Sequence, residues 1–167
     1  MEIILKRRSI RKFTNQPISD EIVKQLLEAG MAAPSAGNEQ PWQFVVITQR
    51  EILDKIPAIH QYSQMLKQAP LAILVCADMS LNKYDIDYWI QDCAAATQNI
   101  LLAATHKGLG SVWLGVYPRH ERVEGLRQLF SIPEYVIPFA LIALGYPDEE
   151  KPPINRYKED RVHYNKW

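Results

Sequence analysis

Cysteine, net charge and long apolar runs are all scarce or missing in this sequence, and each absence removes a class of protein. Only two cysteines occur, Cys76 and Cys93. They form neither a C-x-x-C nor a zinc pattern, and each sits in an apolar segment where the thiol acts as a small hydrophobe. A disulfide scaffold is excluded, and a reducing cytoplasm is the expected location. Nineteen Lys and Arg balance nineteen Asp and Glu for a formal net charge of zero, which argues against a dedicated binder of nucleic acid or anionic membrane. No apolar run approaches the roughly 20 residues that span a bilayer. Residues 1–5, MEIIL, are too short for the apolar region of a signal peptide, so no secretory or lipid-anchor signal is expected.

Several catalytic signatures are missing too. G-x-S-x-G and H-E-x-x-H are absent, and His60, His106, His120 and His163 lack metal-ligand spacing. The glycines of GLGSVWLG (108–115) satisfy neither the dinucleotide G-x-G-x-x-G nor the P-loop. Asp78, Asp85, Asp87 and Asp92 fall on a loop and a helix start, where capping or solvation is the ordinary role of an aspartate.

What remains is a chain of 167 residues with 47% hydrophobic and 23% charged residues, consistent with one compact domain over 1–167 that buries about 70% of its unfolded surface. Ile3, Ile4 and Leu5 predict a short helix ending among basic residues. Ser19 caps a helix whose apolar stripe is Ile22, Val23, Leu26 and Leu27 and which stops at Gly30. Strands are expected at 44–48, 71–77 and 139–144 and across 108–118, with a short helix 51–56 closed by Pro57 and a turn bounded by Pro133 and Pro138. Between them, 88–107 is apolar nearly all round and rich in alanine, the pattern of a helix buried on every side or packed at a subunit interface. Residues 121–130 form an amphipathic helix. The tail 151–167 has little core of its own, yet its Tyr157, Val162, Tyr164 and Trp167 predict packing on something. The alternation of strands and helices indicates a layered α/β or α+β fold.

Three segments could carry chemistry. KRRSIRK (6–12) packs five cations into seven residues with Ser9 between the arginines. Planar guanidinium forks and a hydroxyl suit a phosphate group, although basic residues also favour helix C-termini. PSAGNEQPW (34–42) offers Ser35, Asn38 and Gln40 as hydrogen-bonding groups, a flexible Gly37, and Trp42 as an aromatic wall for a flat heterocycle. The same composition also makes an ordinary turn with Trp42 in the core. In GLGSVWLG, Gly110 and Gly115 would let a ligand approach the backbone, or simply end an element.

Taken in order, RRSIRKF (7–13), APSAGNEQPW (33–42), GLGSVWLG (108–115), ALIALGYP (140–147) and NRYKEDRVHYNKW (155–167) resemble the nitroreductase family of flavoenzymes, and the match spans almost the whole chain. The resemblance implies an α+β fold with a central, mainly antiparallel sheet flanked by helices. It also implies an intimate homodimer with one FMN per subunit at the interface, in which the tail is exchanged to the partner. Arg7, Arg8 and Ser9 match positions that bind the FMN phosphate and ribityl chain. Arg156 matches a C-terminal basic residue that completes the phosphate site, with Lys158 as a second basic residue nearby. Arg11 matches the cation beside N1 and the C2 carbonyl of the isoalloxazine. Pro34, Ser35, Ala36 and Asn38 match the loop bordering the flavin from the neighbouring subunit, with Gln40 close by. Trp113, Leu114 and Gly115 match the stretch covering the ring, the Gly115 N–H pointing toward N5. The implied reaction is ping-pong hydride transfer from NADH or NADPH through FMN to a small acceptor, a nitroaromatic, quinone or similar molecule. No side chain serves as nucleophile or general acid. A protein that only carries or senses FMN would show the same motifs.

Overall fold

The computed structural model describes all residues from Met1 to Trp167. Its centre is one four-stranded antiparallel sheet of order β1-β2-β4-β3, formed by β1 (Trp42–Ile47), β2 (Leu71–Asp78), β3 (Gly110–Gly115) and β4 (Val136–Gly145). Side chains alternate across it with the period of two that a pleated strand imposes. Leu71, Ile73, Val75 and Ala77 of β2 and Ala140, Ile142 and Leu144 of β4 enter one core, whereas Ala72, Leu74 and Cys76 with Leu141 and Ala143 enter the other. Both inner strands are buried on both faces because helices cover both. The first core is roofed by α2 (Asp20–Met31) and α5 (Tyr88–His106). The second is roofed by the short helices α3 (Arg50–Leu53) and α4 (Ile56–Ile59), the 3-10 turns of 61–67 and α6 (His120–Phe130). This is an α+β architecture with an antiparallel sheet between helical layers.

The helix boundaries follow their local chemistry. The Ser19 side chain accepts a hydrogen bond from the Ile22 N–H at the start of α2, and Asp20 and Glu21 occupy its first turn. The helix α1 (Glu2–Lys6) ends at Arg7, within the basic segment, as the sequence predicts. Two prolines depart from expectation. Pro57 does not close a helix; it occupies the first turn of α4, where a missing N–H costs nothing. Pro138 lies within β4 and not at a turn. The register passes from Val75 opposite Ala140 to Cys76 opposite Pro138, so Phe139 is an extra residue and the bulge tolerates a proline.

In α5 the first of the two sequence alternatives, burial on every side, does not hold within one chain. Its Trp89, Cys93, Ala96, Ile100 and Ala104 face the sheet and are buried, but Ala94, Ala95, Leu102 and Ala103 are only half-buried and Gln91 is exposed. The small-residue side of this helix is left uncovered within one chain. The tail is likewise extended and exposed, with Tyr157, Tyr164 and Trp167 at 70%, 82% and 101% relative exposure.

One close approach governs the layer beside β3. A Cβ on Gly125 of α6 would stand 2.5 Å from Ile59 Cγ2 at the end of α4, so glycine lets these helices meet. Gly125→Ala is expected to destabilise the protein by about 1–3 kcal/mol through overpacking, partly offset by about 1 kcal/mol of better helix propensity. Comparing denaturant midpoints of the two proteins measures the net change. A variant as stable as the parent would show that the contact relaxes freely.

Candidate flavin site

The basic segment is held as an extra strand-like ribbon against the open edge of β3. Ser9 bridges Ser111 in parallel, the Ile10 N–H donates to the Ser111 carbonyl at 3.0 Å, and Phe13 bridges Pro147. The side chains of Ile10 and Phe13 fill the space that glycine leaves, since a Cβ on Gly110 would meet Ile10 Cγ2 at 2.7 Å and one on Gly145 would meet Phe13 Cδ1 at 2.9 Å. Gly110 therefore serves the packing of this segment and not a ligand. Arg7, Arg8 and Ser9 are half-buried and Arg11 is exposed.

Residues 145–151 fasten the ribbon from the other side. Glu149 Oε1 accepts the Arg11 N–H at 2.5 Å and the Lys12 N–H at 3.2 Å, and Lys151 Nζ donates to the Ser9 carbonyl at 2.7 Å while pairing with Glu149 at 3.1 Å. The Arg11 N–H, with help from Lys151, holds the Glu149 carboxyl below its ordinary value of 4.5. A carboxylate depressed in this way stabilises the fold above its unfolded pKa, and the contribution disappears as pH falls through the lower folded value. Glu149→Gln is therefore expected to lower Tm at neutral pH, with the difference from the parent shrinking as the pH is taken below the ordinary carboxylate value of 4.5. A difference that stays constant with pH would place the effect in packing and not in charge.

The edge of β3 supplies the central feature. The Val116 N–H donates to the Phe139 carbonyl at 3.2 Å, so the pair Gly115 and Ala140 beside it is of the non-bonded kind in an antiparallel ladder. Both backbone groups of Gly115 consequently point away from β4 toward the open edge. The carbonyl is occupied: Arg122 Nη1 donates to it at 2.7 Å and His60 Nε2 lies 3.0 Å away. The N–H faces a cleft of about 500 Å³ lined by Arg11, Trp113, Leu114, Gly115, His60, Tyr62 and Arg122, and open space surrounds the Gly115 Cα. The Trp113 ring stacks edge-on with Phe139 at 6.0 Å, so this residue meets the cleft at the strand edge while its ring is tied to the core.

Two other clefts hold six more of the sequence-predicted residues. Arg7, Arg8 and Arg156 line one of about 280 Å³ with Ile4, Leu5 and Tyr157, and Arg8 also donates to the Pro152 carbonyl. Pro34, Ser35 and Ala36 line another of about 400 Å³ with Tyr88, Gln91, Asp92 and Ala95. The three clefts share no lining residue. Ser9 lines none of them and contributes its carbonyl to the Lys151 bond. Asn38 and Gln40 bond each other, Gln40 Nε2 to Asn38 Oδ1 at 2.7 Å. Lys158 is exposed at the start of a short turn.

The loop 34–40 is less flexible than its composition suggests. Gly37, Asn38 and Gln40 all have positive φ, at 52°, 56° and 51°, and a Cβ on Gly37 would strike Tyr84 Oη at 2.5 Å. Gln40 has neither the glycine nor the asparagine tolerance for that region. The turn is held by Ser35 Oγ accepting the Gln40 N–H at 3.0 Å, by Asp92 Oδ1 accepting the Ala36 N–H at 3.0 Å and by Lys83 Nζ donating to the Gly37 carbonyl at 2.8 Å. Burial, with a further push from Glu39, raises the Asp92 carboxyl above its ordinary range, and the Ala36 N–H opposes the rise. Asp78 and Asp87 are also engaged locally, by the Ser80 N–H and by Trp89 Nε1. Trp42 is 6% exposed and belongs to the core instead of walling a site.

A family model described as the Nitroreductase family matches residues 4–63 and 57–146, nearly the whole folded part. The chain belongs to the nitroreductase family. Among relatives of this nitroreductase-family chain, a protein from Archaeoglobus fulgidus provisionally named an NADH dehydrogenase/NAD(P)H nitroreductase is 52% identical over 170 residues, covering 100% of this chain and 98% of its own. A crystal structure from Clostridium acetobutylicum, provisionally called an NADH oxidase, superposes with TM-score 0.95 at 44% identity and covers 99% of each chain. A provisionally named nitroreductase from Desulfovibrio desulfuricans in complex with FMN superposes with TM-score 0.84 at 33% identity, covering 99% of this chain and 96% of its own.

His60 and Arg122 are the site residues that the sequence does not signal. They lie 62 residues apart with no motif that links them, and only the meeting of α4, β3 and α6 brings them together.

Proposed function

We propose that residues 1–167 form one FMN-binding domain of an NAD(P)H-dependent oxidoreductase that reduces nitroaromatics, quinones or similar acceptors. The observation that carries this reading is the outward Gly115 N–H in the same open cleft as Arg11. FMN, when bound, supplies the redox chemistry by accepting hydride from NADH or NADPH and yielding it to the acceptor. The residues present fit it: none of the side-chain ion pairs uses Arg7, Arg8, Arg11 or Arg156, so no carboxylate neutralises these four charges, although Arg8 spends one donor on the Pro152 carbonyl. Arg7, Arg8 and Arg156 would hold the phosphate, with Ser9 at the ribityl end. Arg11 would sit beside the pyrimidine edge, where negative charge gathers on reduction, and favour the reduced state. Trp113, Leu114 and Gly115 would border the ring.

The loop of Pro34, Ser35, Ala36, Asn38 and Gln40 would complete the site from a second copy of the chain. The half-buried outer side of α5 and the exposed aromatic tail support a homodimer in which tails are exchanged. Donor and acceptor would use one slot in turn, the ping-pong pattern. Both cysteines are buried and free, and burial pushes the Cys76 thiol up to about 12 and Cys93 higher than an ordinary thiol; such unpaired, unreactive thiols fit a cytoplasmic protein.

Anaerobic titration of the purified, FMN-loaded protein with NADH and then NADPH tests the proposal. Bleaching of the flavin spectrum, followed by its return on adding a nitroaromatic or quinone, is the expected result. Bound flavin that neither nucleotide reduces would favour a carrier or sensor, and a protein that takes up no FMN would overturn the reading.

A further inference from the structure

Gly115 is held by more than its strand. Its carbonyl receives Arg122 Nη1 at 2.7 Å, a short charge-assisted bond, and faces His60 Nε2 at 3.0 Å. A carbonyl oxygen can only accept, so at this distance Nε2 carries the imidazole proton and donates it. Arg122 Nη1 stands 3.3 Å from the same nitrogen, and with Nε2 protonated that contact joins two donors that share one acceptor. His60 is 1% exposed and its Nδ1 has no partner. A buried imidazole with one nitrogen unsatisfied is costly, and the one polar task it performs is at Gly115.

The surroundings fix this arrangement from three sides. His60 ends α4 and is locked by its own N–H to the Ile56 carbonyl at 2.9 Å and by Ser63 Oγ donating to its carbonyl at 2.7 Å. Arg122 lies in the first turn of α6, its guanidinium 5.6 Å over the Tyr62 ring. Gly125 brings that helix close to Ile59, the residue before His60.

We propose that His60 and Arg122 are positioning residues that clamp the Gly115 carbonyl and thereby hold the Gly115 N–H aimed into the cleft toward the flavin. Two acceptor directions of one oxygen are engaged from two elements, which together with the Val116 N–H on the Phe139 carbonyl fixes the peptide after Gly115. The Gly115 N–H belongs to the peptide before it, so the clamp acts on that N–H by restricting the φ and ψ of Gly115 that join the two planes. The rotation of a glycine is otherwise the least hindered of any residue, and at the end of an edge strand no second ladder restrains it. The clamp thus supplies at Gly115 the rigidity that a central strand would have supplied. The inference rests on the flavin reading above for the target of the N–H, but the clamp itself can be tested without flavin.

Glycine-selective 15N labelling gives a spectrum of at most seven backbone amides, in which Gly115 can be followed with and without FMN. In the FMN-free protein, His60→Phe and Arg122→Met are expected to shift and broaden the Gly115 resonance, while His60→Gln, which keeps a donor at the same reach, restores it. In the FMN-loaded protein, His60→Phe is expected to slow flavin reduction by about 10- to 100-fold and His60→Gln to recover most of the rate, with FMN affinity changed less than threefold, on the order of 0.7 kcal/mol. Arg122→Leu serves where Arg122→Met fails to fold, and Arg122→Lys, which keeps charge and a donor, is expected to leave the Gly115 resonance close to its position in the parent. A Gly115 resonance untouched by both His60→Phe and Arg122→Met overturns the clamp while leaving the flavin reading intact. If FMN does not move the Gly115 resonance of the unaltered protein, the flavin reading falls and the proposed aim of the N–H falls with it.

Discussion

Replacing Arg11 with alanine is expected to leave most FMN bound while slowing its reduction by NADH or NADPH about 100-fold. The argument begins with where Arg11 is held. Its backbone N–H is fixed by Glu149, so the residue stays at the mouth of the cleft that contains Gly115, and its guanidinium has no acidic partner to neutralise it. A cation preorganised in a site that a flat ligand closes from water acts most strongly on charge that develops during reaction. Loss of that cation should cost the reduced, anionic flavin more than the oxidised one. The midpoint potential should therefore fall, and by tens of millivolts, since about 30 mV of a two-electron couple corresponds to 1.4 kcal/mol. Arg7→Ala, by contrast, is expected to weaken FMN retention with little effect on the rate once FMN saturates the site, because Arg7 lines a different cleft with Arg8 and Arg156. Stopped-flow reduction and a retention assay on the two variants separate the roles. Equal loss of flavin from both would show that Arg11 is a binding cation only.

Truncation after Ile154 is the second change with a large expected effect. It removes Arg156 and Tyr157 from the cleft shared with Arg7 and Arg8, together with the exposed Tyr164 and Trp167. A charged hydrogen bond to phosphate contributes about 1.5–3 kcal/mol, so FMN affinity should fall by about 10- to 100-fold. The sheet and both cores lie outside the removed residues, and the truncated chain should remain folded. If the tail crosses to a second copy, its removal should also shift the protein toward monomer in sedimentation. A truncated protein with unchanged dimerisation and full flavin occupancy would show that the tail does neither.

The legible parts of the fold were those whose signal is local. Ser19 with Asp20 and Glu21 marks the start of α2 wherever that helix packs, and LAILVCA announces a strand buried on both faces. Pro57 and Pro138 stand elsewhere than their sequence context predicts because proline only forbids an N–H bond. The first turn of α4 and the bulge at Phe139 are both places where no such bond is needed, and a sequence does not show which applies. Gly110 is open to two readings in the sequence for a similar reason. The absence of a side chain is visible in the sequence, but whether Ile10 or a ligand fills the space depends on how residues 9–13 lie along β3.

By itself the sequence determined the balanced charge and the lack of a membrane-length apolar run, the succession of helices and strands, and the motifs that relate this chain to nitroreductases, because these depend on residue type and on neighbours within a few positions. Only the tertiary structure decided which backbone groups of β3 face outward, that the loop 34–40 is a braced and strained turn, and that His60 and Arg122 meet on one carbonyl. The physical reason is that hydrogen-bond direction in a sheet is set by register. A single step of pairing would turn Gly115 toward β4, and that register is chosen by the two cores packed against the sheet and not by the residues around Gly115.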